Sequence, residues 1–293
     1  MSTSSTISSI RVSERRGNNG VKALYLARKN PLMVLGIIVV LGWVIVSILA
    51  PQLAPFGPLQ QNVSNRLQPP GGEHIWGTDE LGRDIYSRVL YGGNITIPAG
   101  LIVIIIGSLL GTIIGAIAGY AGGVWDETIM RVTELFMAFP TIILAMAVTA
   151  ALGPDIRNAI IALVVVWWPS YARVVRGLVI KTKHNEYVEA ARCIGATESR
   201  ILWRTVLPNC LAPAIVLATL DVGNAILTFA GLSFLGLGPE PTSPEWGRMV
   251  AVGIDYFDQW WTWLFPGMAI ATLVLAFNFI GDGLRDIFDP RMR

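Results

Sequence analysis

Few side chains in this sequence could do chemistry, and their spacing excludes most reactions. The two histidines, His74 and His184, belong to segments expected on opposite sides of a membrane, so no histidine-based triad or metal site forms within one chain. The carboxylates nearest to forming an acid pair are Asp221, near mid-membrane, and Asp282, at the end of the last apolar stretch. They stand roughly half a bilayer apart by helix rise, too far to share a proton. No Gly-x-Ser-x-Gly elbow is present. The only lysines are Lys22, Lys29, Lys181 and Lys183, and none follows a glycine, so no P-loop can cradle ATP phosphates. The expectation is therefore no catalytic residue, no metal and no cofactor bound by this chain. Any ATP would be used by a separate chain.

The elements that carry these residues are membrane spans. Of 293 residues only 14% are charged, about half the soluble norm, while 53% are hydrophobic and the mean hydropathy is +0.56. That balance excludes a disordered chain, a secreted disulfide scaffold and a basic nucleic-acid-binding domain. Apolar runs long enough to cross the bilayer fall near 32–50, 95–119, 135–153, 158–179, 209–232 and 262–281. The expected fold is an all-α membrane protein of six transmembrane helices. With the N-terminus inside, 17 of the 22 Lys and Arg residues lie on the cytoplasmic side and 5 outside. Both termini are thus expected in the cytoplasm, and Cys193 and Cys210 on the reducing side without a disulfide.

Several features within this frame are candidates for function. Gly107, Gly111, Gly115 and Gly119 recur every four residues in the second span, a ridge for close helix packing, with a hinge or substrate-lining face as the alternative. Asp221 lies inside the fifth span, where a carboxylate is costly unless paired or wetted. It is a candidate for the substrate path or for a packing hydrogen bond. The long inside loop 180–208 reads as helix, tight turn, helix. Asn185 can cap a helix whose apolar positions are Tyr187, Ala190, Ala191 and Ile194, and Gly195 ends it. Thr197 caps a second short helix, with Ile201, Leu202, Thr205 and Val206 on one face and Pro208 behind it. An amphipathic interfacial helix or a docking helix for a partner both suit this pattern. Outside, the Pro-rich acidic stretch with Glu245 and Trp246, and Arg83 and Asp84 in the 51–94 loop, are candidate surfaces for a substrate-delivering protein. Trp260, Trp261 and Trp263 suit an interfacial aromatic belt.

The stretch Glu189-Ala190-Ala191-x3-Gly195, with Ile201 and Leu207-Pro208, resembles the EAA loop of permease subunits of ATP-binding-cassette importers. Gly77-Thr78-Asp79-Glu80-Leu81-Gly82-Arg83-Asp84, Ala138-Phe139-Pro140 and Tyr171-Ala172-Arg173-Val174-Val175-Arg176 are similar to the dipeptide/oligopeptide branch of that family. So are Leu232-Ser233-Phe234-Leu235-Gly236-Leu237-Gly238, Pro244-Glu245-Trp246-Gly247 and the run Phe277 to Asp286. In this order, from about residue 22 to the end, they resemble a C-type subunit. The resemblance implies the type I importer permease fold, with a cytoplasmic tail at 1–30, a first helix and long outer loop at 31–94, a core at 95–284 and a tail at 285–293. It also implies a coupling helix that meets two ATPase subunits through Glu189, Ala190, Ala191, Gly195, Ile201, Leu207 and Pro208. The remaining expected partners are a second permease subunit in a heterodimer, an extracytoplasmic binding protein and the lipid bilayer, with no nucleic acid. Transport would be of peptides, or of nickel or another small solute in some members, by alternating access in the inner membrane. An ion-coupled secondary transporter is the rival class. Phe229 and its neighbours depart from relatives, which often carry an acidic residue just before Ala230-Gly231-Leu232-Ser233.

Overall fold

A computed structural model describes residues 30–288, and the two expected tails lie outside them except for Asn30 and 285–288. Eleven α-helices are formed among the described residues. Pro31–Ile48 (α1) is followed by the single turn Ala50–Leu53 (α2) and then by a long irregular segment. Ile85–Ala121 (α3), Gly123–Met137 (α4), Thr141–Leu152 (α5) and Ile156–Thr182 (α6) come next. Glu186–Cys193 (α7) and Glu198–Ile201 (α8) lead through a π-helical turn, Leu202–Val206, into Leu207–Phe234 (α9). Trp246–Ile254 (α10) and Trp261–Phe288 (α11) are the last of the described helices.

Five helical stretches are long and apolar enough to cross a membrane, and the bent pair α4–α5 makes the sixth. The expected third span, 135–153, is not one straight helix: α4 and α5 meet at 88°. Pro140 explains the break. It has no N–H to donate, and it pushes the residue before it away from helical backbone, while Pro140 itself is extended at φ −56°, ψ 129°. At 12 residues α5 is about 18 Å long, short of the ~30 Å hydrocarbon core.

The fifth span also differs from expectation. No gap separates the short helix after Thr197 from the membrane helix; Glu198–Phe234 runs as one helical stretch. Pro208 would break a regular α-helix by withholding its N–H, and the π turn just before it widens the helix where that donor is missing. The second span starts ten residues earlier than expected, at Ile85, because Asp84 caps it: the carboxylate accepts the Ser87 N–H and the Ser87 hydroxyl, each at 2.7 Å.

The interior has two centres. The larger joins α3, α6, α9, α10 and α11 around Val89, Val103, Leu163, Tyr171, Phe229 and Leu273. The smaller lies at the end of the bundle that carries α7, around Ala116, Val175, Val179, Val188, Ile201 and Val206. Leu35, Ile38, Leu41 and Ile45 on α1 point outward, as a lipid-facing helix requires. Phe229, expected to depart from relatives, is fully buried in the larger centre.

Candidate functional site

The α7 segment is built to stand out from the bundle on a fixed base. Asn185 occupies the N-cap position, but its side chain does not cap; its amide reaches the Tyr187 hydroxyl at 3.4 Å instead. At the other end the Ala196 N–H meets the Ala191 carbonyl at 3.1 Å and the Gly195 N–H meets that of Arg192 at 2.9 Å, the two bonds of a Schellman turn. Gly195 carries φ +81°, a conformation in which a side chain is strained. Thr197 caps α8 through the Arg200 N–H at 3.4 Å.

The buried side of α7 is Val188, with Ala191 partly covered, rather than the whole apolar set read from the sequence. Tyr187, Ala190 and Ile194 are exposed, the last at 85%, and Glu189 is exposed beside them. Positions 187, 190 and 194 share one helical face. Of the expected ATPase-coupling residues, Ile201 and Leu207 are buried and anchor the segment, while Glu189, Ala190, Gly195 and Pro208 are at the surface. The Tyr120 hydroxyl bonds Glu198, and the Lys183 ammonium donates to the Gly119 carbonyl at 2.8 Å, so the end of α3 is tied to the same unit.

The glycine ridge of α3 lies against α6, its most extensive partner. A Cβ on Gly111 would sit 2.3 Å from the Trp168 carbonyl oxygen, and one on Gly115 2.3 Å from that of Ala172. Only glycine permits backbones to come this close. Two polar links flank the ridge. Arg176 makes a two-pronged pair with Asp126 of α4, at 2.5 and 2.7 Å. The buried Tyr171 hydroxyl donates to Asp221 at 2.9 Å, joining α6 to α9, and Asn224 stands 3.4 Å from the other carboxylate oxygen. Asp221 is thus hydrogen-bonded and half-buried, with exposed Asn224 one turn along.

At the opposite end, residues 54–84 and 235–260 form a folded platform. Gly82 adopts φ +70° with the Asn62 carbonyl so near that a Cβ would lie 1.8 Å from its oxygen. Four residues expected to contact a binding protein belong here, and this expectation is corrected. Arg83, Asp84, Glu245 and Trp246 are all at least 98% buried, because each is spent on holding the platform together. Arg83 pairs with Asp79 at 2.6 Å and Glu80 at 2.7 Å, and Asp84 holds α3 and His74, the latter at 3.0 Å. Glu245 caps α10 through the Gly247 and Arg248 N–H groups and accepts the Thr96 hydroxyl at 3.1 Å. The Trp246 indole donates to the Val89 carbonyl at 2.9 Å. Burial pushes the Glu245 carboxyl above its ordinary range, against the pull of its N–H donors. Trp261, expected in an interfacial belt, is buried with its indole on the Thr78 carbonyl at 3.1 Å. The sequence held one signal for this platform: buried Arg and Glu require partners, and oppositely charged residues crowd between Asp79 and Arg88.

The described residues thus combine membrane-spanning helices, a projecting helix rooted in a second core and a folded loop platform. The chain belongs to the family of binding-protein-dependent transport system inner membrane components, whose model matches residues 111–293. It is accordingly a multi-pass inner-membrane protein and not an enzyme. Residues 23–70 match the N-terminal transmembrane domain of oligopeptide transport permease C, which makes this a C-type subunit of the dipeptide/oligopeptide branch. The dipeptide transport system permease protein DppC of Alkalihalophilus pseudofirmus is 43% identical over 267 residues, 91% of this chain and 88% of that one. The probable D,D-dipeptide transport system permease protein DdpC of Escherichia coli is 40% identical over 292 residues, covering 99% and 98%. A chain from inward-facing structures of the MetNI methionine ABC transporter has the same type I importer permease fold: TM-score 0.56, 20% identity, 69% of this chain and 97% of that one.

Proposed function

We propose that this chain is the C-type half of a heterodimeric permease that carries dipeptides and oligopeptides inward, energised by two ATPase subunits that bind ATP on its behalf. The observation that carries the reading is α7: an exposed face of Tyr187, Ala190 and Ile194 on a helix whose other side is rooted in the bundle through Val188. A rigid projection of this kind transmits displacement, whereas a flexible loop would absorb it. The excess of Lys and Arg on the α7 side supports placing both termini in the cytoplasm, with α7 facing the ATPases. The platform then faces outward toward a substrate-delivering protein, through exposed residues such as Glu240 and Asp258 rather than through its buried charges. Asp221 and Asn224 are the polar groups of α9 best suited to the transport path. The Tyr171 bond keeps that carboxylate oriented and satisfied between substrates.

Glu189→Lys and Ile194→Asp test the coupling assignment, since both side chains are exposed and their replacement spares the core. In the reconstituted complex, dipeptide uptake and co-purification of the ATPase subunits should both fall while membrane insertion stays normal. Normal uptake with normal ATPase recovery would refute the assignment. Uptake of a labelled dipeptide and not of nickel by the wild-type complex is the corresponding expectation for substrate.

A further inference from the structure

The platform contains a cationic cavity that its own hydrogen bonds do not account for. Asp79, Glu80, Arg83, Arg88 and Arg248 line a space of about 10 Å³, together with Met249, Val252 and Thr262. That is room for a single water-sized species. Five buried side-chain polar atoms among the described residues have no hydrogen-bond partner, and three are guanidinium nitrogens of these arginines: Nη1 of Arg83, Nε of Arg88 and Nε of Arg248. Arg83 and Arg88 are each 98% buried. The other guanidinium nitrogens of Arg83 and Arg88 are well used. Arg83 holds Asp79 and Glu80, and Arg88 donates to the carbonyls of Pro58, Thr242 and Ser243 at 2.9 to 3.3 Å. The nearest acceptor to Arg88 Nε is Asp79 Oδ2, at 3.5 Å.

Each of the three arginines that line the cavity keeps one buried guanidinium nitrogen without a hydrogen bond, and the charges do not cancel: three guanidinium groups and two carboxylates line it. Burial, and then the neighbouring Asp79, push the Glu80 carboxyl above its ordinary range, against the pull of Arg83. Leaving such buried donors unpaired is costly. A water would satisfy hydrogen bonds but not the charge.

We propose that the cavity formed by Arg83, Arg88 and Arg248 binds one monatomic anion of chloride size. The anion joins the turn before α3 to the start of α10, so its occupancy sets the rigidity of the platform.

Bromide supplies the direct test. Crystals of the full permease complex grown in bromide should show an anomalous peak in contact with the Arg83 and Arg88 guanidinium groups. In lipid nanodiscs, replacing gluconate by chloride at constant ionic strength should raise the melting temperature by a few degrees and saturate. Arg248→Gln should flatten that dependence. An ordered site with no bromide signal means water, and overturns the proposal. Identical melting of the wild-type complex in chloride and gluconate does so as well.

Discussion

Replacing Gly111 by alanine adds one methyl group where the α3–α6 contact has no room for it. The new Cβ would lie 2.3 Å from the Trp168 carbonyl oxygen and 2.5 Å from the Tyr171 Cβ, against an ordinary contact of at least 3.4 Å. The first neighbour is backbone and cannot rotate away, so the helices must separate locally by about 1.1 Å. Overpacking of this kind costs about 1–3 kcal/mol. At about 2–4 °C per kcal/mol for a domain of roughly this size, the melting temperature should fall by some 2–12 °C. Gly177→Ala, on the exposed side of α6 with nothing within 4 Å, is the internal control. It should be neutral or stabilising by up to ~1 kcal/mol, because alanine is the better helix former. Gly107→Ala should fall between the two, its Cβ meeting a Trp167 side-chain carbon at 3.2 Å. Thermal melting in nanodiscs, read with dipeptide uptake by the reconstituted complex, ranks the three. Should Gly111→Ala melt with Gly177→Ala, close backbone approach is not what the glycine ridge provides.

Three further outcomes follow from the polar links. Arg176→Ala should cost about 1 kcal/mol, the value of a charge-assisted pair discounted for the 34% exposure of the arginine side chain; a double-mutant cycle with Asp126→Asn should return that coupling, and zero coupling would mean the pair is solvated. Tyr171→Phe leaves Asp221 without its O–H donor and should destabilise by about 1–3 kcal/mol; an unchanged melting temperature with an altered KM for peptide would assign Asp221 to substrate instead. Glu245 has a folded-state pKa above its ordinary value of 4.5, so the native state keeps a proton the unfolded state loses. Its stabilisation is full below that ordinary value and is lost as pH rises through the folded-state pKa. Melting profiles between about pH 4 and pH 8 should lose this component in Glu245→Gln, and parallel profiles for variant and wild type would contradict it.

What could be read from the residues was whatever lipid or close packing imposes one residue at a time. Apolar runs located the spans, the four-residue glycine period marked the face that meets α6, and Gly195 ended α7 because a left-handed turn was needed there. The misreadings have two causes: for Arg83 the partners are close in sequence but its burial is not legible there, and for the others the deciding partner lies far away in sequence. Nothing near Arg83 announces that Asp79 and Glu80 consume it, or that the Asn62 carbonyl closes over Gly82. Trp246 looks like a partner-contact residue and Trp261 like an interfacial aromatic until the carbonyls of Val89 and Thr78 are seen to take their N–H groups. Charged and aromatic residues in an outer loop read as surface because that is their usual place, and here a second loop folds over them. Pro140 and Pro208 gave the same local signal but opposite outcomes, an 88° bend in one case and a π turn within a continuous helix in the other.

The contacts of α6 explain how motion at α7 would reach the rest of the molecule. Val175 and Val179 of α6 lie in the same small core as Val188 of α7, so a push on the projecting helix meets buried contacts within one turn of its base. From there α6 is fastened to three different helices by three different means: glycine contact with α3, the Arg176–Asp126 pair with α4 and the Tyr171–Asp221 bond with α9. These differ in compliance. Backbone-to-backbone contact cannot shorten, whereas an ion pair one-third exposed on its arginine side can exchange with water at little cost. In an alternating-access cycle α3 and α6 should therefore move as one body, while α4, held by the partly buried pair and hinged at Pro140, is the element freer to change its angle.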